Sequence, residues 1–509
     1  MADTTVTGVK YQKTEAGYFE KRTLKRSAGF WGIWGLGVAA VISGEFSGWN
    51  LGTDTAGFGG MAIAVVIVIV MYFTMLFSIG EMAAALPHTG GAYSFARAAL
   101  GPWGGFITGL AESIEYVVTT AVVVYFAAEY ANGALDAFFG FQLPPFVMWI
   151  ILYGVFVIVN ALGAAIGFRL AIIVSILSIA ILAVFVIVAF STNTFNVDKL
   201  WDVKPDAGQS TFLPHGFGPV LLVIPFAMWF FLGIEELPLA AEETKNPQKD
   251  IPRAGVIALV TLLIAAVVIF VVNTGVNGAK EIQASGQPLL DGFALMVPKS
   301  LTGVLAIFAL IGLLASLQGI MYAYGRNLYS LSRAGYYPKW LSITGKRQTP
   351  VIALVVGAVI GFVLLIIIDR ATAAGGAAST IAGAIVLNIA IWGAVVSYIM
   401  QMISFVALRR RFPNAKRPYK SPTGIAGAVI AGIIALAIFI AFLFNQGYQI
   451  AIAAIAVVYI IGIILFGAVW RKRLVLSPEE EFAISKGLHG DPQVEGYDAM
   501  ESEVFEGKA

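Results

Sequence analysis

Runs of about 18 or more apolar residues recur along the whole of this chain, each long enough to cross the roughly 30 Å hydrocarbon core of a bilayer. Backbone N–H and C=O groups cannot stay unpaired in hydrocarbon, so runs of this length are read as helices. Twelve are expected, near 28–55, 57–83, 103–130, 145–164, 169–191, 219–241, 253–275, 300–332, 350–369, 378–408, 424–444 and 449–470. The first follows a polar stretch and lacks a small-residue cleavage pattern, so it is kept as a span rather than a signal peptide. The predicted fold class is an all-α integral membrane protein with 12 transmembrane helices. Charged residues make up 12% of the chain, against about 25% in soluble domains. That excludes a soluble enzyme, a disordered chain and a collagen-like chain. A net charge of +2 with no basic domain argues against nucleic acid as a partner. The chain has no cysteine, and His88, His215 and His489 are far apart. Neither a thiolate nor a metal site is therefore expected, no cofactor is implied, and the chain does not read as an enzyme.

Basic residues orient the spans. With both termini cytoplasmic, 27 of the 32 Lys and Arg residues fall in inner segments, and five (Lys199, Lys204, Lys280, Lys299, Arg370) fall outside. The predicted organisation is a cytoplasmic N-terminal segment (1–26), a first five-span unit (27–192), an outer loop (193–218) and a second five-span unit (219–410). Two further spans with their inner loop (411–473) and an acidic tail (474–509) complete it. After Arg473 the chain carries nine acids against two lysines and little apolar content, so the tail is expected to be disordered.

Two spans are interrupted in the middle. The first reads Ser43-Gly44-Glu45-Phe46-Ser47-Gly48-Trp49-Asn50, and the sixth runs from Pro225 through Trp229-Phe230-Phe231-Leu232-Gly233-Ile234-Glu235-Glu236 to Pro238. A carboxylate at mid-bilayer costs several kcal/mol by most measures, at least about 2.5 kcal/mol for an Asp, and marks a pathway or site. Glycine and proline loosen a helix where its backbone can line a cavity. Spans one and six are five apart, the relation expected of broken helices in two inverted repeats. An isolated glycine such as Gly37 or Gly163 is better explained by helix packing, but a kink does not require a carboxylate. The third span adds Glu112 and Glu115, three residues apart on one helix face, followed by Tyr116. Glu115 lies deeper, whereas Glu112 reads equally well as a structural acid bonded to its neighbours.

At these residues the chain resembles the amino acid–polyamine–organocation superfamily, and within it the ethanolamine permease branch. The superfamily likeness spans residues 20–475. It is carried by Glu81 to Leu86-Pro87-His88-Thr-Gly90-Gly91-Ala-Tyr93, by Glu242-Glu243-Thr-Lys245-Asn246-Pro247 to Pro252-Arg253, by Gly325-Arg326-Asn327-Leu-Tyr329 to Arg333-Ala-Gly335, and by Arg409-Arg-Arg-Phe-Pro413 to Arg417-Pro418-Tyr419. The branch likeness rests on the two interrupted segments. The resemblance implies a five-plus-five inverted repeat with broken helices 1 and 6 plus two extra helices, and alternating access in a bacterial cytoplasmic membrane. Its partners are then the lipid bilayer, a small-molecule substrate and, as a candidate, a coupling proton.

The sequence departs from the amino acid permeases at Glu45, where that resemblance leads one to expect an apolar residue. In those relatives the backbone N–H groups of the first break hold a substrate carboxylate, which a half-helix N-terminus suits. A glutamate there repels a carboxylate and favours a cation. The candidate binding residues are Ser43, Gly44, Glu45, Trp49, Glu115, Tyr116, Trp229, Phe230, Glu235 and Glu236, with Trp229 preferred over Trp49 as the face toward an ammonium group. Glu115, Glu235 and Glu112 are the proton-carrier candidates, since clustered buried acids hold a proton more readily. Glu81 is expected to brace a gate. The buried fifth-span lysine of some relatives, a proton-linked substitute for sodium, has no counterpart here, where that span offers Ser175 and Ser178. Sodium coupling is disfavoured because span eight supplies Ser316 without a second neighbouring hydroxyl. The expected function is import of a small cationic amine, most simply ethanolamine; the alternative is an amino acid permease of the same superfamily, proton-coupled or an exchanger.

Overall fold

The apolar runs do form helices. The computed structural model describes residues 5–6, 8–374, 379–443, 449–485 and 496–506. In chain order the helices are α1 (Phe30–Val41), α2 (Ser43–Phe46), α3 (Thr53–Ala85), α4 (Gly91–Phe139), α5 (Pro145–Ala161), α6 (Ala164–Ser191), α7 (Gly218–Met228), α8 (Pro247–Asn277), α9 (Ala279–Ile282) and α10 (Pro288–Met296). They continue as α11 (Lys299–Arg333), α12 (Val351–Ala374), α13 (Ser379–Arg411), α14 (Gly424–Leu443), α15 (Gln449–Ala468), α16 (Pro478–Ser485) and α17 (Tyr497–Glu506). Among the described residues nine helices are long and apolar enough to cross a membrane. Three shorter apolar helices, Phe30–Phe46, Pro145–Ala161 and Gly218–Met228, lie where the first, fourth and sixth runs were expected. Two of these three are short because the chain breaks inside them.

Burial sorts the helices into centre and rim. α4 packs along α11 and α13, and 83% of its most apolar window is buried. For the helix ending the apolar series, Ile452–Lys472, the figure is 17%. Large apolar side chains such as Ile150, Ile173, Ile187, Ile367, Ile433 and Ile464 are exposed around the rim, a belt that fits lipid and would aggregate in water. α4 bends at Gly101 (φ 82°), just before Pro102, which sets the segment Gly91–Leu100 at an angle to the long helix that follows.

The two ends of the chain meet. Strand β1 (Thr5–Val6) pairs antiparallel with β2 (Val9–Gln12), and β2 pairs parallel with β3 (Leu474–Val475), Tyr11 opposite Leu474. The N-terminal strands and the start of the tail therefore lie on one face of the helical body, the terminal face. This corrects the expectation of a disordered tail: residues 474–485 form a strand and a helix, and Glu479, Glu480 and Glu481 are buried. Composition predicted solvation because it does not show that Arg97 and Arg333 await those acids. Residues 486–495 and 507–509 of the tail lie outside the described residues.

Candidate functional site

Both interruptions are real breaks, and they touch. α1 ends at Val41, and after the single turn of α2 the backbone is extended at Ser47 (φ −165°, ψ 161°) and left-handed at Gly48 (φ 95°) before a 3-10 turn, Trp49–Gly52. α7 ends at Met228, and the chain passes through Gly233 (φ 106°) into a 3-10 helix, Ile234–Glu243. A Cβ on Gly44 would lie 2.4 Å from the Trp229 carbonyl oxygen and 2.9 Å from Phe230 Cα. Glycine at position 44 is what lets the two breaks come together. The Trp229 indole lies against Gly48, within 2.7 Å of where a Cβ would stand.

The expected binding residues are buried around this junction, but they divide into two groups. Glu115 and Glu235 are neighbours, with Glu112 and Glu236 in electrostatic reach of Glu115. The Gly233 amide donates to Glu235 Oε2 (3.2 Å), while both oxygens of Glu115 and of Glu236 accept no hydrogen bond among the described residues. Glu45 stands apart from this group. It is fully buried, and among the described residues neither carboxylate oxygen has a hydrogen-bond partner from another residue. Burying an ion costs several kcal/mol unless charge or hydrogen bonds compensate. These acids therefore suit a bound cation, bound protons or both.

Several expected roles are refined by geometry. Glu112 accepts from Tyr116 Oη (3.2 Å) and Asn327 Nδ2 (3.1 Å), so it is the better satisfied of the third-span pair. Trp49 stacks on Phe230 (centroids 5.4 Å) and meets Phe270 edge-on (5.6 Å), a packing position. Ser316 Oγ accepts from the Ser43 amide (3.0 Å) and lies within 2.9 Å of the Ala39 and Ala40 carbonyl oxygens, so its hydroxyl already ties the first break to α11. Ser175 donates to the Gly35 carbonyl (3.1 Å), and Ser178 to Val174 in its own helix. Glu81 is remote from the breaks. It binds Arg409 (2.5 and 2.8 Å), Arg417 (3.1 Å) and the Ser421 amide (2.7 Å), beside a cavity of about 400 Å³ that also touches Phe405 and Phe482.

The junction is closed on both sides. On the face opposite the termini, Asn50 Nδ2 donates to the Ile282 and Ser285 carbonyls (2.6 and 2.8 Å), and Ser47 donates to Gly286 (2.8 Å). Toward the terminal face, Glu243 at the end of the second broken helix binds Arg326 of α11 at 2.9 and 3.1 Å and accepts from Tyr322. The Glu243 carbonyl also accepts from the Ser27 and Ala28 amides (2.8 and 2.9 Å), pinning the start of α1 to the same point. One layer further out, Arg333 grips Glu242 with both Nη1 (2.9 Å) and Nη2 (2.6 Å). Burial alone would raise the Glu242 carboxyl, but the Arg333 guanidinium outweighs it and holds the group at about 2.

Sequence reasoning did not single out Tyr72 and Tyr398, whose hydroxyls are 3.1 Å apart, with Tyr398 also facing Glu235. Both lie in plain apolar runs that give no signal. It also did not pair Glu242 and Glu243 with Arg333 and Arg326, although all four stood in the motif blocks.

Broken, touching helices around buried acids, closed off on both faces within a body rimmed by exposed apolar side chains, are the features of a membrane transporter. The chain belongs to the amino acid permease family, whose pattern matches residues 32–477. Branched-chain amino acid permease BcaP of Bacillus subtilis is 26% identical over 487 residues, covering 90% of this chain and 96% of its own. The aromatic amino acid transport protein AroP of Salmonella typhimurium is 27% identical, covering 83% and 88%. The methylthioribose transporter of Bacillus subtilis is 24% identical, covering 81% and 88%.

Proposed function

We propose that this permease imports a small cationic amine without a carboxylate, ethanolamine fitting best, by alternating access. The observation that carries the reading is Glu45, fully buried at the first break and without a hydrogen-bond partner among the described residues. A carboxylate substrate at that break would meet a like charge, while an ammonium group would find a charge-assisted hydrogen bond. Glu115, Glu235 and Glu236 supply the rest of the negative field, and the Trp229 indole covers the amine. The nine longer and three shorter apolar helices then make twelve spans, 27–192 and 219–410 being inverted repeats. The terminal face is cytoplasmic and the membrane is the bacterial cytoplasmic one. Glu81 braces the cytoplasmic side through Arg409 and Arg417.

An amino acid permease is the second reading, favoured by the names of BcaP and AroP. The methylthioribose transporter is named for a cargo that is not an amino acid. Counterflow in proteoliposomes separates the readings: ethanolamine should drive exchange, and alanine, leucine and phenylalanine should not. Glu45→Gln should weaken amine binding by about 1.5–3 kcal/mol, the range for a hydrogen bond to a charged group. If alanine or leucine exchanges as well as ethanolamine, the second reading replaces the first.

A further inference from the structure

The tail meets the terminal-face gate at the residues that close it. β3 is held to the end of α11 by the Val475 amide, which donates to the Ala334 carbonyl (2.9 Å). The approach is close enough that a Cβ on Gly335 (φ +88°) would lie 2.8 Å from the Arg473 carbonyl oxygen. From α16, Glu479 accepts from Ser330 Oγ (2.8 Å) and from Arg333 Nη2 (2.5 Å), the same guanidinium that grips Glu242. Glu480 is fully buried and binds Arg97 Nε (2.8 Å) together with the hydroxyls of Tyr11 (2.6 Å), Tyr336 (2.8 Å) and Tyr93 (3.1 Å). Phe482 packs edge-on against the His88 ring (centroids 5.5 Å) and lines the cavity at the end of α3 with Met82 and Leu86.

The segment 474–485 thus bridges two sides of one gate. Its acids are tied to α11 and to the segment before Gly101, and its phenylalanine to the end of α3. The Glu242–Arg333 pair joins the second broken helix to α11, so parting the two breaks it. A bridge seated on Arg333 and on α3 at once resists that separation. We propose that residues 474–485 are an autoinhibitory latch, which must release its seat at the end of α3 before the terminal face opens. The alternative is a permanent scaffold that rides with α11 and never lets go.

The natural chain has no cysteine, so a pair introduced as His88→Cys and Phe482→Cys can be bridged by a short bifunctional methanethiosulfonate and freed with dithiothreitol in the same sample. The readout is exchange in proteoliposomes of whichever compound, ethanolamine or alanine, the unbridged variant carries. The latch predicts that bridging slows exchange by about tenfold or more, as expected when one of two required states is withdrawn, and that reduction restores it. A bridged protein exchanging within about twofold of the reduced one overturns the proposal, because the gate then opens with the segment seated. Phe482→Ala releases one seat without stranding a charge and should speed exchange; slower or unchanged exchange in a folded variant refutes autoinhibition.

Discussion

Gly44→Ala tests whether the two broken helices close on each other as tightly as the geometry requires. The added methyl would lie 2.4 Å from the Trp229 carbonyl oxygen, 2.9 Å from Phe230 Cα and 3.1 Å from the Trp229 carbonyl carbon. All three are backbone atoms, so no side-chain rotation relieves the clash. Gly44 lies in the single helical turn Ser43–Phe46, where alanine is otherwise preferred over glycine by up to about 1 kcal/mol. Overpacking of a well-filled site costs about 1–3 kcal/mol. The clash must therefore overcome a favourable propensity term, and a net loss of about 1–2 kcal/mol is expected, borne by the closed junction. Substrate binding that depends on closure should weaken by about tenfold for each 1.4 kcal/mol. Gly154→Ala in α5 is the control, since nothing lies within 4 Å of its added methyl. Equilibrium binding and thermal unfolding in detergent should show Gly44→Ala impaired and Gly154→Ala unchanged or slightly stabilised. Identical behaviour of the two variants would show that the breaks are not in backbone contact, and the site as described would fail with them.

Trp229→Leu should weaken amine binding by about 0.5–2 kcal/mol, the worth of a cation–π contact, whereas Trp49→Leu, which loses its stacking on Phe230, should lower stability more than affinity; equal effects on affinity would remove the cation from Trp229. The Glu242–Arg333 pair predicts a defined pH window. The Glu242 carboxyl is depressed to about 2 from an ordinary 4.5, so its contribution is complete above about 4.5 and is lost as pH falls toward 2. Glu242→Gln should accordingly leave the shape of the transport profile between pH 5 and 8 unchanged, and an altered slope in that interval would overturn the assignment. On the proposed function, proton and cationic substrate compete for the same negative field, so affinity should fall with acidification by mass action, and loss of that dependence in Glu115→Gln or Glu235→Gln identifies the carrier. An affinity flat from pH 5 to 8 but steeply sodium-dependent would eliminate proton coupling.

The helices were legible because bilayer length and backbone pairing leave a long apolar run few alternatives. The breaks were legible because glycine and glutamate together at mid-depth have few structural uses. Grouping Glu45 with the other acids was less secure. Sequence places Glu45, Glu115, Glu235 and Glu236 at similar depth, but depth does not fix the direction a side chain takes around a helix axis. In the fold Glu115 and Glu235 are neighbours while Glu45 stands alone. That separation leaves one buried acid at the first break and a distinct cluster of Glu112, Glu115, Glu235 and Glu236.

The gate was hidden for a different reason. Arg326 and Glu243 are 83 residues apart and Arg333 and Glu479 are 146 apart, and neither periodicity nor composition links positions at such distances. An acid-rich segment with few apolar residues reads as solvated because its charges are counted without their partners. In the fold the partners are Arg97 and Arg333, each 3% exposed, and neither arginine could be buried so deeply without an acid to meet it. The tail's composition and the burial of these arginines are therefore two sides of one constraint. Of the acids at Arg333, Glu242 stands in the last turn of the second broken helix, and Glu479 comes from the tail. Any rearrangement that frees Glu242 must leave the guanidinium with Glu479 or expose it to water, which is the physical ground on which the proposed latch rests.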